Sequence, residues 1–229
     1  MSRASSGPVP FARLASCYFF FFANVGIFLP YWSLYLQSLG LSPARIGELL
    51  AVAMATRLVA PYLWGWLVDV TGRPLAAVRG GCWVSLLAFA GVWGAEASPW
   101  ALGAVLLCYS FFWNAILAPL EVVTLRHLKD QTQRYGAIRS WGSVGFVVFA
   151  TGYGWLLPTL GPMGVPWAMA LTIVALGIMG ATVPTAPGEF VRGGGVGGTI
   201  LKTVLARREG VALLLVRVVV EARHGPVFG

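Results

Sequence analysis

Gly65-Trp66-Leu67-Val68-Asp69-Val70-Thr71-Gly72-Arg73-Pro74 separates two long apolar runs with a short charged turn. The runs, Ile46 to Val68 and Ala76 to Gly94, each approach the roughly 20 helical residues needed to cross the hydrocarbon of a bilayer. The stretch is therefore expected to turn the chain at one membrane face. Gly65 is expected to let two helix backbones approach closely, and Gly72 to permit a left-handed turn. Asp69 and Arg73 are suited to clamping neighbouring helix ends, where backbone partial charges accumulate. A D-x-x-G-R turn also arises by chance in soluble loops. Its place between two membrane-length segments decides against that reading.

Composition agrees. Of 229 residues, 58% are hydrophobic and 10% charged, and the mean hydropathy is +0.77. A soluble domain carries about 25% charge, so lipid must be the solvent for most of this surface. Four further apolar runs, Leu14 to Leu36, Trp100 to Val122, Ile138 to Leu157 and Val165 to Val183, bring the expected spans to six. The first is too long for the apolar core of a signal peptide and lacks a small-residue cleavage site. The architecture expected is an all-α integral membrane bundle.

Positive charge sets the orientation. Arg3, Arg13, Arg73, Arg79, Arg126, Lys129, Arg134, Arg192, Lys202, Arg207 and Arg208 fall on one side, against Arg45 on the other. That asymmetry places the N-terminus and the Gly72 turn in the cytoplasm, with the chain as a multi-pass protein of the cell inner (plasma) membrane. The net charge of +8 is distributed over helix ends, with no basic run interleaved with aromatics, so nucleic acid is not an expected partner. Cys17, Cys82 and Cys108 lie in three different spans without metal-ligand spacing and are read as small packing residues. His127 and His224 are too far from other ligand types for a metal site. No cofactor is expected. No nucleophile–base arrangement, pair of catalytic carboxylates or nucleotide motif points to an enzyme.

After Pro184 the character changes. Pro187-Gly188 and Gly193 to Gly198 read as a flexible linker, and the apolar run Gly210 to Glu221 is short and broken by Arg217. Arg217 and Glu221 could pair at i,i+4 on an exposed helix. The expected division is a six-helix half-bundle over 1–187, then a cytoplasmic linker and the incomplete start of a seventh helix over 188–229.

Ionisable groups within a span are costly, and so are functional candidates. Arg57 and Glu121 qualify, and Arg139 stands at the start of the fifth span. Ser110, Asn114 and Glu121 are spaced to share one face of the fourth helix, as Asn24, Tyr31 and Tyr35 are on the first. Arg57 and Trp64 share a face of the second. Together they suggest a polar, aromatic-edged cavity inside an apolar perimeter. The blander reading has Glu121 and Arg139 extending to the cytoplasmic surface from helix ends, and Arg57 in an internal salt bridge. Gly142, Gly145, Gly152 and Gly154 are expected to let helices pack closely, and Pro61 and Pro119 to kink theirs.

The opening stretch resembles the loop between the second and third helices of the major facilitator superfamily, G-x-L-x-D-x-x-G-R. Gly65, Leu67, Asp69, Gly72 and Arg73 match, while Val70 and Pro74 stand where that family usually has basic residues. The Glu121–Arg139 spacing, the context Tyr135-Gly-Ala-Ile-Arg-Ser-Trp-Gly-Ser-Val-Gly-Phe146, and Phe19 to Phe22 with Pro30-Tyr31-Trp32 resemble the lactose and phenylpropionate permease branch. The resemblance covers residues 11 to 187. It implies the N-terminal half of a twelve-helix, proton-coupled symporter for a small organic solute, such as an aromatic acid, a sugar or a nucleoside, working by alternating access. Glu121, Arg139, Asn114, Asn24 and Arg57 would bind that solute. Gly65, Asp69, Gly72 and Arg73 would gate it, with protons and a second six-helix half as further partners. The competing expectation is a membrane fragment or interaction module that transports nothing.

Overall fold

The structure, a computed structural model, describes residues 9–129 and 131–185. The expected linker, the expected start of a seventh helix with Arg217 and Glu221, and the basic residues from Arg192 onward lie outside the described residues, as do Arg3 and His224. The described chain forms α1 (Phe11–Ser38), α2 (Pro43–Thr71), α3 (Pro74–Ala90), α4 (Val92–Ala95), α5 (Pro99–Trp113), α6 (Leu117–Leu128), α7 (Tyr135–Leu160) and α8 (Val165–Thr182). Among the described residues there is no strand. Six helical segments are long and apolar enough to cross a membrane. These coincide with the six expected spans, α3 with α4 making the third and α5 with α6 the fourth.

Helix starts are written in proline. Pro43, Pro74, Pro99 and Pro166 occupy first-turn positions, where the missing N–H costs nothing and the fixed φ favours the helix. Ser42 and Ser98 add side-chain caps, accepting from Arg45 N–H and Ala101 N–H. Pro74 thus starts α3 and is itself buried. Gly72 closes α2 with φ +67°, the left-handed backbone expected of it.

The spans pack around α1, which is the most buried, with α7 the least. α1 lies against α7 and α8, α3 against α5 and α8, and α2 against α5. The α1–α7 contact is made backbone to backbone. A Cβ on Gly26 would stand 2.6 Å from the Phe146 carbonyl oxygen, and one on Gly145 would collide with the Phe19 backbone. Small residues permit this because lipid supplies no hydrophobic drive and close packing must hold the helices together. Gly142 and Gly154 also face neighbours, Phe22 and Tyr31. Gly65 and Gly152 do not: a Cβ on either meets open space, so the close approach expected of them is absent.

Arginines hold one end of the bundle. Arg79 donates to the carbonyls of Gly180, Ala181 and Val183, and Arg13 to that of Thr182 at 2.7 Å. The last carbonyls of α8 have no partners within their own helix, and two cations from other helices satisfy them.

Candidate functional site

The fourth span breaks where the site forms. Pro119 lacks the N–H that would bind Ala115 and crowds that turn, and the backbone tightens over residues 114–116. Ala115 N–H goes to Phe112 O and Ile116 N–H to Trp113 O. The Phe111 carbonyl, released from the ladder, accepts instead from Trp64 Nε1 at 3.2 Å. The interruption re-aims Asn114 and separates it from Glu121, which the periodicity of one straight helix had placed on a shared face.

Asn24, 1% exposed, ties three spans. Its amide nitrogen donates to Met169 O at 3.1 Å and Thr172 Oγ1 at 2.9 Å, and its oxygen accepts from Tyr109 Oη at 2.8 Å. Three of the four hydrogen bonds an asparagine amide can make are therefore committed to the protein. Asn114 donates to Thr56 Oγ1 at 2.9 Å, joining spans four and two. Asn24, Asn114, Arg57, Tyr109 and Ser110, with Phe28 and Trp113, line one narrow hollow of about 20 Å³. That is room for a single water, so a larger solute would meet these groups only at the mouth, where Arg57 is exposed. Tyr31 and Tyr35 do not join it. Tyr31 donates to Ala150 O on α7, and Tyr35 to Glu96 Oε1 at 2.9 Å.

Glu121 and Arg139 form a second cluster nearer the end with the Gly72 turn. Arg139 Nε stands 3.8 Å from Glu121 Oε1, with about a third of each side chain exposed. This distance is an ion pair without a hydrogen bond. The guanidinium lies 4.2 Å from the centre of the Phe22 ring and 5.3 Å from that of Tyr18, a cation–π arrangement. Gly142 makes room for it, since a Cβ there would come 3.0 Å from Arg139 Nη1 and 2.7 Å from Phe22. Tyr18 shares a 3.2 Å hydrogen bond with Thr124. Between the clusters Phe21 stacks on Trp113 at 4.6 Å and 8°. The five expected binding residues therefore fall into two groups.

At the turn, Asp69 and Arg73 are both exposed, and Asp69 has no ion pair among the described residues. Arg126 on α6 reaches the Gly72 carbonyl at 3.5 Å. Tyr18, Tyr109 and Thr172 were not singled out from the sequence, and Arg126 was read only as a marker of orientation. Only Thr172 left a usable signal, a hydroxyl well inside an otherwise apolar α8. Of the cysteines, Cys17 and Cys82 are buried as expected but Cys108 is exposed. A larger hollow of about 720 Å³ between α7 and α8 is walled by apolar groups such as Val148, Leu156, Trp167 and Leu171, and joins neither polar cluster. Among the described residues no group of three His, Cys, Asp or Glu could hold a metal.

Comparison with known proteins adds the following. Residues 11–229 match the model of the MFS_1 like family. The chain is 31% identical over 181 residues to the maltose permease of Geobacillus stearothermophilus, covering 76% of this chain and 45% of that protein. It is 31% identical over 135 residues to the "Probable 3-phenylpropionic acid transporter" of Escherichia coli, covering 59% and 35%. In three dimensions it is similar to a crystal structure of a mutant of the nucleoside transporter NupG, with TM-score 0.69 and 19% identity, over 81% of this chain and 46% of that one. The chain spans less than half the length of the curated relatives it matches.

Proposed function

The chain belongs to the MFS_1 like family, and on that premise we propose that it contributes the N-terminal half of a secondary transporter for a small organic solute. The solute would pass by alternating access, this half rocking against a second six-helix half around a midplane site. The observation that carries the reading is the pairing of Glu121 with Arg139 against Phe22 and Tyr18. Two charges held together on an otherwise apolar wall, at ion-pair rather than hydrogen-bond distance, leave the guanidinium donors available to a ligand. Proton coupling belongs to the same proposal, and Glu121 with Arg139 is the pair we assign to the solute. Arg57, Asn114 and Asn24 belong to the same pathway, Asn24 as the tie between its walls. Gly65, Asp69, Gly72 and Arg73 form the gate, with the partner of Asp69 on the second half.

Phe22, Tyr18 and Trp113 support an aromatic acid as the solute, in keeping with the name of the Escherichia coli relative. A sugar or a nucleoside is the alternative, following the maltose permease and NupG. The basic end of the bundle supports a cytoplasmic N-terminus in the inner membrane. The competing reading is a membrane fragment or interaction module that transports nothing.

Uptake into proteoliposomes under an imposed proton gradient tests the proposal. Wild type should accumulate solute, and Glu121→Gln and Arg139→Gln should each lower the rate at least about 100-fold, the scale expected when a charge-assisted contact at the reacting site is lost. Equal transport by all three proteins would remove these residues from the site. Absence of transport by the wild type would leave the fragment reading standing.

A further inference from the structure

Arg57 occupies the middle of α2, fourteen residues from each end of a 29-residue helix, or roughly 20 Å along the axis from either terminus. No lysine or arginine stem bridges that distance to the membrane surface. A guanidinium so placed needs a counter-charge, and the protein provides none among the described residues. Of the described acids, Glu48 pairs with Arg45 and Glu121 with Arg139. Glu96 accepts from Tyr35, and Asp69 stands three turns further along α2, roughly 18 Å away. Arg57 makes no hydrogen bond or ion pair to a described residue, so all five of its donors remain to be filled. It is exposed at the mouth of a hollow whose other walls are hydroxyls and amides, Tyr109, Ser110 and Asn114, and aromatic faces, Phe28 and Trp113.

We propose that Arg57 is the recognition site for the negative charge of the transported solute, and that the solute is an organic monoanion bearing a carboxylate. This rests on the transport reading above and narrows it. Arg139 is the weaker candidate for that charge, because Glu121 already neutralises it. A single unpaired guanidinium matches one carboxylate, which it can hold through two parallel N–H···O bonds. A phosphate dianion would call for a second free cation, and among the described residues none but Arg57 lines this hollow. A neutral sugar or nucleoside would leave the mid-span charge uncompensated, which is the more costly outcome.

The test compares 3-phenylpropionate with 3-phenylpropionamide, which has the same shape and no charge, for binding to the full purified protein in nanodiscs by calorimetry. The acid should bind at least about tenfold more tightly than the amide, the scale of one charge-assisted hydrogen-bonded contact. Arg57→Gln should abolish that preference, both probes then binding with equal and measurable affinity, and a cooperative thermal unfolding transition reports that the variant is folded. Arg57→Lys should keep part of the preference, since a charge remains without the two-pronged geometry. Equal wild-type affinities for acid and amide would overturn the proposal without recourse to any variant, and so would an acid preference that survives Arg57→Gln. Binding of maltose or a nucleoside in place of either probe would overturn it too, while leaving the transport reading intact. Failure of all these probes to bind would strike the transport reading itself and take this inference with it.

Discussion

Gly145 shows how much one hydrogen atom in place of a methyl decides in lipid. Its Cα lies against the Phe19 backbone, so Gly145→Ala forces α1 and α7 apart. Overpacking of this kind costs about 1–3 kcal/mol. Gly152→Ala, about two turns further along α7 where a Cβ meets open space, is the internal control. Thermal unfolding in detergent should show a clear drop in midpoint for the first and none for the second, and equal midpoints would mean the α1–α7 contact is not the one described. Sequence alone could not rank these two glycines. Both sit in a small-residue pattern on α7, and only the crossing point of two helices says which of them is pressed. Asn24 carries the same lesson in polar form. Its position in an apolar span marked it as costly, yet nothing local showed that Thr172, Met169 and Tyr109 would take up its hydrogen bonds.

At the scale of elements, the end of α8 depends on a residue of α3. Arg79 serves three carbonyls there, and Arg13 one. Removing a charged donor from acceptors that have no helical partner costs about 1–3 kcal/mol, reduced here because Arg79 is partly exposed to solvent. Arg79→Ala should therefore lower the denaturation midpoint more than Arg13→Ala, and the reverse order would sink the capping account. Positive-charge counting had already put both arginines on the correct common end, but as markers of orientation. Their second use, as caps across helices, depends on which helix ends lie side by side. The fourth span makes a related point. Pro119 announced a disturbance, and the structure turns it into a break that frees the Phe111 carbonyl for Trp64 and divides the polar face into two clusters.

The whole molecule presents one end rich in arginine and one nearly without, which predicts how it sits in a membrane. In a background with Cys17, Cys82 and Cys108 replaced by serine, Thr71→Cys and Met163→Cys place single thiols at exposed positions on opposite ends. A membrane-impermeant maleimide should label Met163→Cys in intact cells, and Thr71→Cys only after lysis. The opposite pattern would invert the orientation and with it the side assigned to the gate.

Hydropathy and charge placement suffice for the six spans, with boundaries that fall up to six residues from those observed. These depend on local composition and on the bilayer acting as solvent, which every residue meets in the same way. The Gly72 turn was legible for the same reason, since a left-handed backbone is a property of one residue. Tertiary structure alone decided that Asn24 is a tie and Tyr31 and Tyr35 serve other helices, that Gly65 is unpressed, and that Arg57 stands apart from the Glu121–Arg139 pair. Those outcomes are set by helix rotation and crossing angle, which bring together side chains up to 148 positions apart, and no window of sequence contains them.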